Sequence, residues 1–429
     1  MALTGKRLLV MGGSMATYYI VQNAQEMGVY VIVADMSDSG PAYKLADEGV
    51  QISTTDFDRL AEYVKNNNID GIFCGPSEFN ILNTMRLCEM VGLPFYATKE
   101  AWDRCGNKQI MKQYCERNGL PRIPEYEFDT PEQIEQCPDH IFPVIVKPVD
   151  GCSSKGVCVC ENKAELKQAI ADALEYSEAG KVIVEKFIAN GGRQFSCRYM
   201  LIDGKAYPYF AFDVYIANQK DKKGNISAFT INPSEHLETF FENADKKIRA
   251  MLADMGLQNG LVFLQALPDG DDFYIHDMGY RLGGGMTYAR SMGMYGINDM
   301  KMMIALALGE RYYTHEDLEK INVLAPAYLS CALMVPLNAG TIAEIKGMDA
   351  IENDPAIIRV IQNFHEGDTV PPSAVGTLNG HFARIGMKVN NSAHMIELVN
   401  RLQDGLSIKD TEGNEMYTMR FDTGRLTQK

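Results

Sequence analysis

The chain has 429 residues, 46% of them hydrophobic and 23% charged, the composition of a soluble globular protein large enough for about two to four domains. Its 41 Lys and Arg against 56 Asp and Glu leave a net charge of −15, which argues against general nucleic-acid binding, because a phosphate backbone needs a basic footprint. No run of about 18 apolar residues occurs and the opening MALTGKRLLVMGG leads straight into a strand, so neither a membrane span nor a signal peptide is expected. The ten cysteines lack paired metal-type spacing; they read as buried free thiols of a reducing cytoplasm rather than as metal ligands or disulfides.

In chain order, KRLLVM at 6–11 has a buried-strand pattern, Gly12, Gly13 and Ser14 turn into a helix reaching about Met27, and Val29–Ala34 is a second strand ending at Asp35. This imitates a dinucleotide fingerprint, but Met15 and Ala16 stand where spaced glycines should recur, so the unit reads as structural. Alternation continues with a helix over 56–67, a strand over 70–74 and a helix over 79–91, the pattern of a small doubly wound parallel sheet. Glu78, just past that strand's carboxyl edge, is a candidate ligand contact or an ordinary helix N-terminal acid. A helical stretch from Lys99 to Gly119 carries Lys108 and, one turn later, Lys112, which as charges alone describe a solvated face.

The stretch FPVIVKPVDGCSSKG at 142–156 is a short β-branched strand stopped by Pro148, then a small-residue turn holding a lysine, then a second strand at 157–160. Such a turn can lay backbone N–H groups and an ammonium over a polyphosphate, or it can be an ordinary hairpin. A helix over 163–177, strands at 181–188 and from Arg193 to Leu201 and at 207–215, an irregular polar segment at 216–236, and a helix over 237–255 follow. The strands Gly260–Leu267 and Phe273–Met278 lead into Gly279-Tyr280-Arg281-Leu282-Gly283-Gly284-Gly285, where an arginine fork and backbone amides can together hold an anion. After an apolar helix at 300–309 and a polar linker at 311–324, short strands, a helix at 392–404 and a hairpin close the chain.

Taken together these motifs resemble the ATP-grasp superfamily, in the branch of biotin carboxylase, carbamoyl phosphate synthase and L-amino acid ligases. The resemblance runs over nearly the whole chain. NKQIMKQYCERNGLPRIPEY is similar to the segment whose lysine touches nucleotide phosphates, mapping to Lys108, and FPVIVKP to the strand that supplies the second phosphate lysine, Lys147. DGCSSKGV resembles the glycine-rich flap, mapping to Ser153, Ser154, Lys155 and Gly156; VIVEKFI resembles the adenine-reading hinge, mapping to Glu185, Lys186, Phe187 and Ile188. GGRQFSC places Gln194 where relatives carry a ribose-contacting acid. The resemblance implies an α/β ATP-grasp fold with a Rossmann-like N-terminal domain (1–96), a central ATP-grasp domain (97–321) and a C-terminal α+β domain (322–429). It implies ATP and Mg²⁺ as cofactors, small-molecule carboxylate and amine substrates, and a homodimer as one assembly. The implied activity is an ATP-dependent carboxylate–amine or carboxylate–thiol ligase working through an acyl phosphate and releasing ADP and phosphate. Arg281, with the Gly284 and Gly285 amides, would hold the carboxylate and the developing charge.

One departure stands out. Where the family carries two glutamates and an asparagine as metal ligands, this chain has Gln265, Asp277 and Gly279, so Asp277 is the one strong ligand and Gln265 a neutral oxygen. His276 alternates to the opposite face of an ideal strand from Asp277. The thin ligand set supports a rival expectation, an ATP-binding protein with weak or lost catalysis.

Overall fold

Strand β1 (Arg7–Met11) has four buried apolar residues and pairs in parallel with β2 (Tyr30–Asp35), β2 in turn with β3 (Glu48–Gln51), and β1 on its other side with β4 (Gly71–Cys74). The order is β3-β2-β1-β4, with α1 (Met15–Glu26), α2 (Pro41–Leu45) and α3 (Phe57–Asn66) as connections and α4 (Glu78–Val91) leaving β4. Near-continuous apolar runs in β1, β2 and β4 are what a sheet covered on both faces requires. The Gly13 N–H donates to Asp35 Oδ2 at 2.7 Å, so the glycine turn and the acid at the end of β2 satisfy each other. The computed structural model describes residues 3–128, 131–149, 156–177, 179–189, 192–217, 226–285, 287–417 and 419–426.

The single helix expected from Lys99 is two, α5 (Lys99–Gly106) and α6 (Lys108–Arg117). Asn107 divides them by capping the second, its side chain accepting from the N–H groups of Gln109 and Ile110. Next comes an antiparallel sheet of β5 (Glu125–Tyr126), β6 (Val144–Pro148), β7 (Cys158–Cys160) and β8 (Val182–Lys186), in the order β5-β8-β6-β7. Helix α7 (Pro131–Gln136) precedes β6; α8 (Lys163–Leu174) packs Leu166, Ala169 and Ala173 on Val144, Val146 and Val184.

The remaining strands are β9 (Arg193–Ile202), β10 (Lys205–Ile216), β11 (Ser227–Asn232), β12 (Gly260–Asp269), β13 (Asp272–Gly279), β14 (Leu329–Pro336), β15 (Gly340–Lys346), β16 (Ile357–Gln362), β17 (Thr369–Val370), β18 (His381–Val389) and β19 (Ser407–Asp410). Eight of them form one antiparallel sheet, β13-β12-β9-β10-β11-β14-β18-β16, and β17-β15-β19 form a small one. The large sheet runs past residue 321 without a break, β14 pairing with β11. The helix expected over 237–255 is interrupted at Ala244, and Asp245 just beyond accepts from Tyr199 Oη and Arg249 Nε, each at 2.8 Å.

Nine cysteines are described; all are free and eight are buried. Burial pushes the thiols of Cys74, Cys88, Cys105, Cys115 and Cys331 up to about 12, which makes them packing groups rather than nucleophiles. Among the described residues no helix is long and apolar enough to cross a membrane.

Candidate active site

The register of the large sheet assembles the metal-strand residues. Ser196, Gln265 and Asp277 lie in one rung across β9, β12 and β13; Arg198, Phe263 and Gly279 lie in the next but one, on the same face. Between β12 and β13 the register slips by one: Gln265 faces Asp277 but Ala266 faces Ile275, so His276 is an extra, bulged residue. Strict alternation would turn His276 away from the site. Instead its imidazole is pushed down to about 3, by burial first and then by Lys147 and Lys108, and its Nε2 is buried with no hydrogen-bond partner.

Asp277 is held above the usual carboxylate range by burial, with Lys108 and Arg281 opposing the rise. It stands opposite Gln265, so one carboxylate and one amide face each other at the expected metal position. The third position is filled by a ring. A Cβ on Gly279 would lie 2.3 Å from Phe263 Cε1, so no side chain fits there while Phe263 keeps its place. Among the described residues no cluster of three or more His, Cys, Asp or Glu side chains could hold a metal. What is present suits Mg²⁺ in its usual mode, one carboxylate with the remaining ligands from phosphate and water.

Arg281 rests on the same ring, its Cζ 4.8 Å from the Phe263 centroid, and pairs Nη2 with Glu78 Oε1 at 3.2 Å. Glu78 is the first residue of α4, so the carboxyl edge of the parallel sheet reaches the arginine of the metal strand. A Cβ on Gly284 would meet nothing within 4 Å, and one on Gly285 only Thr287 Cγ2 at 3.9 Å, so this loop is open. The Gly284 carbonyl accepts from Arg384 Nη1 at 2.9 Å, a contact from β18 that no local motif announces.

The lysines converge from separate elements on one acid. Glu185 in β8 is fully buried; Lys147 from β6 pairs with its Oε2 and Lys112 from α6 with its Oε1, and Lys112 also reaches Glu125 Oε1 at 2.5 Å. Lys112 is thus buried and twice paired, not solvated as its helical position suggested. Burial would raise the Glu185 carboxyl, but Lys147 and Lys112 more than offset it and hold it below 4.5, the usual value. Burial lowers the Lys147 ammonium, Glu185 opposing, with Lys112 and Lys108 adding to the depression. A group depressed on folding stabilises the protein above its unfolded value and loses that contribution as pH falls through the folded one. Glu185→Gln, which strips half-buried Lys147 of its counter-charge and leaves buried Lys112 only Glu125, is therefore expected to cost about 3 kcal/mol at neutral pH. The deficit against the parent should shrink from about pH 5 downward. Urea unfolding of both proteins across that range reads the difference.

Exposed Lys108 opens α6 and acts electrostatically on Lys147, His276 and Asp277, which places both expected phosphate lysines and the metal strand around one volume. In the expected hinge, Lys186 N–H donates to Pro124 O at 2.9 Å and Phe187 N–H to Pro143 O at 3.1 Å; Ile188 N–H has no partner among the described residues. Gly156 takes φ +70°, and a Cβ there would come within 2.9 Å of Pro148 Cγ, so glycine is required. Gln194 is buried on β9 and on the same face as Ser196. Ser153, Ser154 and Lys155 lie outside the described residues.

Residues 100–208 match the family model described as D-ala D-ala ligase C-terminus. Over 95% of its length the chain superposes on the L-amino acid ligase of Bacillus licheniformis, covering 99% of that chain, with a TM-score of 0.75 at 20% identity. The fold is that of the ATP-grasp superfamily, as the motifs implied. Among curated relatives, a formate-dependent phosphoribosylglycinamide formyltransferase of Sulfurisphaera tokodaii is 28% identical over 207 residues, 47% of this chain and 51% of that protein. A phosphoribosylamine–glycine ligase of Lactococcus lactis subsp. lactis is 28% identical over 224 residues, 51% of this chain and 53% of that protein. The chain thus spans about half the length of these curated relatives.

Proposed function

We propose that this protein is an ATP-dependent carboxylate–amine ligase. The observation that carries the reading is the convergence of Lys108, Lys147, Asp277 and Arg281, brought from a helix and two sheets to one volume. The ligase names of its relatives agree with it. Ile188 N–H, without a partner among the described residues and two positions past β8, would read the adenine edge, and Gln194 would meet the ribose. Lys108 and Lys147 would neutralise the phosphates, with Gly156 closing the flap. Asp277 and Gln265 would hold Mg²⁺, which when bound supplies charge neutralisation across the phosphates.

The substrate carboxylate would displace the exposed Glu78 from Arg281, exchanging one carboxylate for another on the same fork. A carboxylate oxygen then attacks the γ-phosphorus; ADP leaves and an acyl phosphate forms. The amine nitrogen attacks the acyl carbon, phosphate departs, and the ammonium proton is released. The protein's share is positioning and electrostatic stabilisation. The test is ADP release across a panel of carboxylate and amine pairs; release that requires both partners supports the ligase. ATP binding with no release for any pair favours the second reading, a nucleotide-binding protein with lost catalysis, for which the filled position at Gly279 speaks.

A charged hydrogen bond to phosphate contributes roughly 1.5–3 kcal/mol, so Lys147→Ala should weaken ATP binding by about one to two decades in calorimetry. Unchanged affinity in both the Lys147 and Lys108 variants would remove the nucleotide from this site.

A further inference from the structure

Arg198 is not among the residues the family resemblance assigns, yet it sits in the same arrangement with no ion-pair partner among the described residues. It lies two residues beyond Ser196 on the site face of β9, opposite Phe263. Its side chain is held between two rings, Cζ lying 5.4 Å from the Phe212 centroid and 5.0 Å from that of Phe263, the ring that also supports Arg281. It touches the glycine loop: a Cβ on Gly283 would come within 2.8 Å of Arg198 Nη1. The residue is only 9% exposed, and its Nε and Nη1 are buried without a hydrogen-bond partner.

The nearby acid acts on the charge only from a distance. Asp299 Oδ2 accepts from Tyr209 Oη at 2.7 Å and from Thr287 Oγ1 at 3.3 Å, its Oδ1 has no partner, and it forms no ion pair with Arg198 among the described residues. An unpaired buried guanidinium costs several kcal/mol. Burial accordingly pulls Arg198 below its usual value, Tyr209 and Asp299 opposing the fall and Arg281 adding to it. A fork presenting buried, unused donors beside a glycine loop and a second arginine is what recognises an anion.

We infer that the carboxylate substrate carries a second anionic group: the reacting carboxylate meets Arg281, and Arg198 pairs with the distal group beneath Gly283. A short dicarboxylic acid is the simplest molecule of this class, and a phosphono acid of equal length presents the same chemistry. The inference rests on the ligase reading for Arg281, and the binding measurement separates the two.

The experiment is calorimetry of the parent without nucleotide against glutarate, 4-phosphonobutyrate and the singly charged valerate, followed by ADP release with the same acids and a fixed amine. Glutarate or the phosphono acid should bind about one to two decades more tightly than valerate, the worth of one charge-assisted pair; whichever anion is preferred identifies the distal group. Arg198→Met, which keeps the stem between Phe212 and Phe263, should erase the preference and leave ATP affinity unchanged; Arg198→Lys should restore part of it. A parent that binds all three acids alike, or binds none, overturns the inference, and needs no variant to fold. A preference that survives Arg198→Met also overturns it. Selective binding with no ADP release from any pair leaves the anion site standing and removes the ligase reading instead.

Discussion

Replacing Asp277 by Asn is expected to abolish magnesium-dependent ADP release while ATP binding stays measurable. Asp277 and Gln265 together bring one negative charge to the metal position, and the substitution removes it. A hard cation bound through phosphates and a single carboxylate then has no charged anchor on the protein. Loss of several kcal/mol of charge stabilisation corresponds to about three decades or more in rate. The hinge at Ile188 and the two lysines are untouched, so nucleotide affinity should persist. Gln265→Glu is the opposite change: it should tighten Mg²⁺ binding, and raise turnover where metal is limiting. A magnesium titration of ADP release for the three proteins decides; equal cleavage by Asp277→Asn and the parent would show that this aspartate is not the ligand.

Arg281→Ala should cut turnover by about two to three decades with ATP affinity nearly intact, the loss expected when one oriented anion stabiliser is removed. Arg281→Lys should recover only part, because a point charge replaces a planar fork that can hold two oxygens at once. The side chain already holds a carboxylate, that of Glu78, with Nη2 at 3.2 Å. Single-turnover kinetics with calorimetry read rate and affinity separately. If both fall together, Arg281 belongs to the nucleotide and not to the acceptor.

The sequence made the architecture legible wherever local chemistry is strong. Continuous apolar runs marked β1, β2 and β4, Gly119 and Pro148 ended their elements, and RLGGG announced an open glycine loop. Strand β3, EGVQ, has one large apolar side chain and so no periodicity to read. Lys112 looked solvated because spacing on its own helix cannot show that Glu125 and Glu185, from two other strands, close over it. Alternation could not fix the place of His276 because period 2 assumes an unbroken ladder, and the slip opposite Gln265 breaks it. Arg198 and Arg384 carry no motif; their relation to the glycine loop exists only after the strands of one large sheet are in register.

The ring of Phe263 also bears on how this site could have changed over time. A single exchange at 279 to asparagine would drive a side chain into that ring, while a single exchange of Phe263 for a small residue would take the support from Arg198 and Arg281 together. Each one-step intermediate is disfavoured for its own reason: one by overlap of atoms, the other by loss of two cation–π contacts, each of the order of 0.5–1 kcal/mol or more when desolvated. A three-ligand metal strand therefore asks for both changes together. Either change alone should lower stability, and positions 263 and 279 should be coupled in a double-substitution cycle.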